Sequence, residues 1–187
     1  MLTQTNAASA AVSIRRMTAE DIPVVACLEQ ECFEEPWSEN ALAESLSDVN
    51  YVFFVATVTA NENTSAVSKL TTPSLCDTTQ ESKRNIHFCE TIVGYVGAYL
   101  AADELSITNV AVSVSFRRCG AADRLMKALN AFAKEKNLYG ITLEVRVSNS
   151  AAIALYEKNG YEKSGIRKGF YSKPKEDALI MWKYFQQ

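Results

Sequence analysis

At 187 residues, 48% of them hydrophobic, the chain is long enough for one domain with a sizeable core. Its net charge of -3 argues against nucleic acid as a direct partner, which calls for clustered Lys and Arg. A mildly acidic surface suits a cationic partner, such as a basic protein tail or an amine, and is equally ordinary for a cytoplasmic protein.

Met1–Ser13 is small and polar without an apolar core, so it reads as no signal peptide. No run of about 18 apolar residues follows it, so no membrane span is expected. Val12–Arg16 reads as a short strand. Thr18-x-x-Asp21 resembles a capping box, with Asp in the usual Glu/Gln place. It opens a helix whose mostly apolar face carries Ile22, Val25, Leu28, Glu29, Cys32 and Phe33. Pro36-Trp37 breaks that helix, and Ser38 is a good N-cap for a second one through about Leu46. Tyr51–Val58 is a β-branched and aromatic run, the pattern of a buried strand. From Thr59 to Glu90 the period vanishes and Thr, Ser and Asn dominate, with Pro73 among them. This stretch reads as a flexible insertion at about 59–90, or alternatively as a substrate lid.

Thr91–Leu100 and Glu104–Val112 read as two strands turning at Ala102-Asp103. Gly120 to Lys136 is helical, with Leu125, Leu129 and Phe132 on one side and Gly140 as its end. Ile141–Val147 is a strand. Ser150–Asn159 is a helix capped by Asn149 or Ser148 and stopped by Gly160. Tyr161–Arg167 and Ala178–Tyr184 form a final antiparallel pair across a loop holding Pro174. The order β-α-α-β-β-β-α-β-α-β-β predicts a single α/β domain over 1–187, a mixed central sheet with helices on both faces.

Cys27, Cys32, Cys76, Cys89 and Cys119 are scattered without a CxxC pair, which argues against a disulfide framework and against a metal site. His87 is the sole histidine and sits in a polar stretch, leaving little basis for a histidine-based triad. The informative segment is Val110-Ala-Val-Ser-Val-Ser-Phe-Arg-Arg-Cys-Gly-Ala-Ala-Asp-Arg-Leu-Met126. It joins an apolar strand to a helix through a turn with Arg117-x-x-Gly120-x-Ala122. Small residues at a helix N-terminus let free N–H groups and the helix dipole meet an anion. Neither Gly-Lys-Ser/Thr nor GxGxxG is present, so P-loop and dinucleotide readings fail. On spacing alone the segment can equally be a plain turn.

That segment resembles motif A of the GNAT acetyltransferases, Gln/Arg-x-x-Gly-x-Gly/Ala. A second string, Leu143-Glu-Val-Arg-Val-Ser-Asn-Ser-Ala-Ala-Ile-Ala-Leu-Tyr-Glu-Lys-Asn-Gly-Tyr161, is similar to the ribosomal-protein-alanine N-acetyltransferases within that superfamily. So are Pro36-Trp37-Ser38, Ile166-Arg-Lys-Gly-Phe-Tyr171 and Glu176-Asp-Ala-Leu-Ile-Met181. The resemblance implies a GNAT fold with acetyl-CoA as co-substrate and a basic, ribosomal-protein N-terminus as acceptor. It implies that Val110, Ala111 and Val112 hold the pantetheine arm. It further implies that Arg118, Cys119, Gly120, Ala121, Ala122 and Asp123 hold the pyrophosphate, and that Asn149 contacts CoA. Glu144 matches the family's general base and Tyr156 its general acid. The chemistry asks for such groups, since an α-ammonium must lose a proton before attack and a departing thiolate is better protonated. Read without the resemblance, Glu144 is a solvated strand residue and Tyr156 a core aromatic. Asp123 stands where the family usually carries Arg or Lys, an expected repulsion of about 1 kcal/mol or less against a diphosphate. Two further readings stay open: a GNAT enzyme for another terminus, a lysine or a small amine, and a CoA-binding module without catalysis.

Overall fold

A computed structural model describes residues 11–59 and 90–185. Its strands form one sheet in the order β1-β2-β3-β4-β5-β7-β6. They are β1 (Val12–Arg16), β2 (Tyr51–Thr59), β3 (Glu90–Ala101), β4 (Glu104–Val112), β5 (Gly140–Arg146), β6 (Glu162–Ser172) and β7 (Lys175–Tyr184). The helices are α1 (Ile22–Cys32), α2 (Glu39–Ser47), α3 (Ala121–Glu135) and α4 (Ser150–Lys158). Every neighbouring pair is antiparallel except β4 with β5, so the mixed α/β sheet expected from the sequence is the one observed.

Two cores flank the sheet because its strands alternate. On one face α3 buries Leu125, Met126, Leu129 and Ala133, and α4 adds Tyr156. On the other, Val25, Ala26 and Leu28 of α1 and Leu42 of α2 pack on Phe53, Val55, Tyr95 and Ala111. The Thr18 box is present, with the Thr18 N–H donating to Asp21 Oδ2 at 2.8 Å. Arg15 also reaches Asp21, at 2.7 and 2.9 Å, and ties β1 to the start of α1.

Some boundaries differ from the sequence reading. The third helix ends at Glu135, and Asn137, with φ of +54°, makes the left-handed exit. Gly140 is instead the first residue of β5, where a Cβ would meet the Lys183 carbonyl oxygen at 2.8 Å. The final pair is longer than expected: Tyr171 pairs with Glu176 and Ser172 with Lys175, so a tight turn at Lys173-Pro174 replaces the expected loop. The period is hard to read there because β6 is an edge strand exposed along most of its length. Its register also slips between Arg167 and Tyr171, where Gly169 has φ of +60°. Residues 60–89 of the expected insertion lie outside the described residues. Thr59 and Glu90 on either side of them are paired strand residues, not loop.

Candidate active site

The site begins where the sheet opens. β4 pairs with β5 from Glu104↔Gly140 to Ile107↔Leu143 and no further, although both strands continue. The β3–β4 register shifts at the same point, so that Thr108 is the extra residue between Ile107 and Asn109. Past this bulge β5 no longer pairs with β4, and the Val112 carbonyl there accepts from Arg117 Nε at 3.4 Å and from the Cys32 thiol at 3.6 Å. Beside it lies a cavity of about 620 Å³. Its walls are Val110–Val112, the turn from Phe116 to Arg118, Gly120–Asp123, Cys32 and Phe33 at the end of α1, and Asn149 with Ala151, Ala152, Ala154, Leu155, Tyr156 and Lys158 of α4.

One end of the cavity is formed by the start of α3. Gly120 is the N-cap of α3, with φ of +86°, and no side chain caps the first turn. The N–H groups of that turn therefore remain available at the positive end of the helix dipole, within the cavity wall. A Cβ at Gly120 would meet nothing within 4 Å, so glycine is required here by backbone conformation rather than by crowding. Arg118 shares the left-handed conformation at φ of +68°. Asp123 does not face this end as a bare carboxylate. Lys127 pairs with it at 2.8 Å and Lys158 at 3.2 Å, and Asn159 Nδ2 donates to it at 3.2 Å. Lys127, with Lys158 and Asn159, holds its carboxyl below the usual range. The repulsion expected from the sequence is therefore largely cancelled, because the lysines lie one helical turn along α3 and on α4. An uncapped helix start, two arginines and Lys158 fit a diphosphate, and the strand edge that β5 leaves fits an amide-bearing arm, as acetyl-CoA carries.

Asn149 caps α4, its Oδ1 accepting from the Ala152 N–H at 3.1 Å. Tyr156 of α4 lines the cavity and is 7% exposed. Burial, with Tyr171 nearby, pushes its hydroxyl above the ordinary tyrosine range. Glu144 is placed differently. Leu143 and Val145 turn into the α3–α4 core, so Glu144 projects from the opposite face and does not line the cavity. There its Oε1 meets Arg167 at 3.2 Å, and its backbone carbonyl accepts from the Tyr171 hydroxyl at 3.2 Å. The turn between α1 and α2 and the tip of the β6–β7 hairpin border this face and meet through Lys173 and Glu35 at 3.8 Å. Arg146 stiffens the hairpin, donating to the Lys173 carbonyl at 2.6 Å and to Glu176 at 3.1 Å.

Of the residues singled out in the sequence, Val110, Ala111, Val112, Arg118, Gly120, Ala121, Ala122, Asp123, Asn149 and Tyr156 converge on the cavity wall. Cys119 is exposed beside it, its thiol donating to the Phe116 carbonyl at 2.7 Å. Sequence reasoning assigned no role to Lys158, Cys32 and Phe33 in the wall, to Arg167 against Glu144, or to Glu29. For Glu29 a signal was present: a carboxylate in the middle of an apolar helix face.

The residues from 23 to 161 match the model of the acetyltransferase (GNAT) family. A protein of Escherichia coli (strain K12) named ribosomal protein bS18-alanine N-acetyltransferase is 26% identical over 175 residues, covering 90% of this chain and 95% of that one. A Bacillus subtilis (strain 168) protein that carries this name provisionally is 29% identical over 170 residues, covering 91% and 93%. The crystal structure of the Escherichia coli ribosomal-protein-S18-alanine N-acetyltransferase superposes with a TM-score of 0.71 at 24% identity, over 95% of this chain and 96% of that one. The chain is thus a member of the GNAT acetyltransferase family.

Proposed function

We propose that this acetyltransferase moves the acetyl group of acetyl-CoA to the N-terminal α-amine of a protein, and that the acceptor is the alanine terminus of a basic small-subunit ribosomal protein. The single observation that carries the reading is the opening between β4 and β5. It lies beside the cavity that the start of α3 closes, with Glu144 of β5 on the opposite face. Acetyl-CoA supplies an activated thioester; the chain supplies binding, orientation and proton transfer. The first turn of α3 with Arg117 and Arg118 holds the phosphates, and the edge of β4 at Val110–Val112 aligns the arm. Glu144 accepts the proton of the entering ammonium, directly or through water, and Tyr156 donates to the departing sulfur. Arg167 neutralises Glu144 until a cationic terminus replaces it. The names of relatives matched over nearly the whole chain support the alanine acceptor. An acceptor of this kind makes the cytoplasm the site of action.

The test is an acceptor screen. Purified protein with acetyl-CoA should add one acetyl group to the α-amine of a peptide beginning with Ala and continuing with Arg and Lys, as read by fragment mass spectra. Preferential acetylation of internal lysines or of small amines would assign a different acceptor.

A further inference from the structure

Glu29 of α1 is completely buried, and no Lys, Arg or His pairs with it among the described residues. A bare carboxylate in such a place is costly unless its lone pairs are taken up. Three donors from three separate elements take them up. The Trp37 backbone N–H donates to Oε2 at 2.8 Å, Asn109 Nδ2 donates to Oε1 at 3.1 Å, and the Tyr95 hydroxyl donates to Oε1 as well. The neighbours of Glu29 on this helix face are Val25, Ala26 and Leu28, so a leucine there would fill the same layer without the cost. What distinguishes the carboxylate is what it joins. Trp37 lies in the turn that borders the Glu144 face. Asn109 is the first residue of β4 beyond the bulge, and the three residues after it line the cavity.

The same helix grips the far end of that strand segment. Glu31 Oε1 accepts from the Val114 N–H at 2.7 Å and from the Ser113 hydroxyl at 3.3 Å, and the Cys32 thiol donates to the Val112 carbonyl at 3.6 Å. The stretch of β4 that β5 no longer holds is therefore held by α1 at both ends. We propose that Glu29 is a positioning residue: it fixes the Trp37 turn on the acceptor side against the bulged segment Asn109–Val112 on the cofactor side, and so sets the separation of the two reactants. This rests on the acetyltransferase reading of the site.

Asn109 suggests how to loosen this link without emptying the space that Glu29 fills. Its Oδ1 is buried with no hydrogen-bond partner. In Glu29→Gln the Asn109 amide can turn over and offer that oxygen to the new NH₂ group, but Asn109 Nδ2 then takes the place where no partner stands and the Tyr95 hydroxyl loses its acceptor, so the link is weakened without a change in side-chain volume. Glu29→Gln should stay folded with a lowered melting temperature, because buried donors lose their acceptor, and bind acetyl-CoA within about threefold of wild type. Its kcat/KM for the Ala-starting peptide should fall tenfold or more, the scale expected of a small misplacement of reacting groups. In a Trp182→Phe background Trp37 is the sole tryptophan, and Glu29→Gln should increase its quenching by acrylamide. Should Glu29→Gln misfold, Asn109→Ala cuts the same link and should show the same split between kcat/KM and acetyl-CoA affinity. Folded Glu29→Gln with wild-type kcat/KM and unchanged quenching overturns the proposal. If the wild-type protein does not acetylate the peptide at all, the acceptor reading fails instead, and Trp37 quenching still decides whether Glu29 holds the turn.

Discussion

Glu144 and Tyr156 lie on opposite faces of one sheet: Glu144 points to the side bordered by the α1–α2 turn, while Tyr156 packs into the α3–α4 core. They can act on one reaction only through the opening left where β4 and β5 part after Ile107 and Leu143. Amine and thioester would then approach from opposite sides, and neither carboxylate nor hydroxyl needs to cross the sheet. Glu144→Gln removes the proton acceptor and keeps the shape, so kcat should fall ~10²–10⁴-fold with acetyl-CoA affinity nearly unchanged. Steady-state kinetics with calorimetric binding checks this, and near-wild-type turnover would return Glu144 to a surface carboxylate paired with Arg167.

Tyr156→Phe should lower kcat by a similar or smaller factor, because a thiolate leaves tolerably even unprotonated. The pH profile carries the sign. Burial favours the neutral hydroxyl and raises its pKa, so the donor stays protonated through the ordinary tyrosine value of ~10. Activity should stay level there, and any alkaline fall should begin above it and vanish in Tyr156→Phe. A fall centred below pH ~10 that persists in Tyr156→Phe would assign the limb to another group.

Gly120 gives a test of the proposed phosphate contact at the start of α3 that needs no assumption about the acceptor. With φ of +86° and open space around a Cβ, Gly120→Ala should destabilise the fold by about 1–2 kcal/mol through backbone strain alone. It should also weaken acetyl-CoA roughly tenfold or more as the first turn of α3 shifts out of line, a factor equivalent to about 1.4 kcal/mol. Gly165 also has open space but no positive φ. Gly165→Ala is the control and should bind acetyl-CoA as wild type. Equal binding by the two variants would move the phosphates elsewhere.

Asp123 reverses an expectation. A lone carboxylate beside a diphosphate would gain from removal, but Lys127 and Lys158 already neutralise this one. Asp123→Asn should therefore leave acetyl-CoA affinity within about threefold at low salt. It should cost about 1 kcal/mol of stability, because both lysines are largely exposed and the link between α3 and α4 is only partly lost. Thermal melts beside titration calorimetry separate the two effects. Tightening beyond tenfold at low salt would falsify the neutralised reading.

Thr59 and Glu90 pair directly across β2 and β3, and Arg15 reaches Glu90 at 3.1 Å. The two ends of the 60–89 stretch thus already stand at hairpin spacing. Replacing it with an Asn-Gly turn should leave the melting temperature close to wild type. Retained stability with lost peptide acetylation would give the stretch a role at the acceptor side, and a large drop in melting temperature would show that it packs.

Local chemistry made much of this protein legible in the sequence. The Thr18 box, the Ser38 and Asn149 caps and Gly160 are short-range signals, and each acts where it was read, while the small residues from Gly120 stand at the start of α3. Alternating apolar runs placed most of the strands, and the two motif strings pointed to the family before any coordinate was known. The tertiary structure decided what depends on distant residues meeting. For Asp123 the i,i+4 partner Lys127 is local, but Lys158, 35 positions away, and Asn159 join it only through the packing of α3 and α4, and the β6–β7 hairpin reads short because an exposed edge strand loses its alternation. Glu29 read as one more member of an apolar face; only the folding of β3, β4 and the Trp37 turn around it shows three donors closing on one buried carboxylate. A sequence lists hydrogen-bonding groups without their partners, and partners separated by 66 and 80 residues, as Tyr95 and Asn109 are from Glu29, exist only once the sheet has formed.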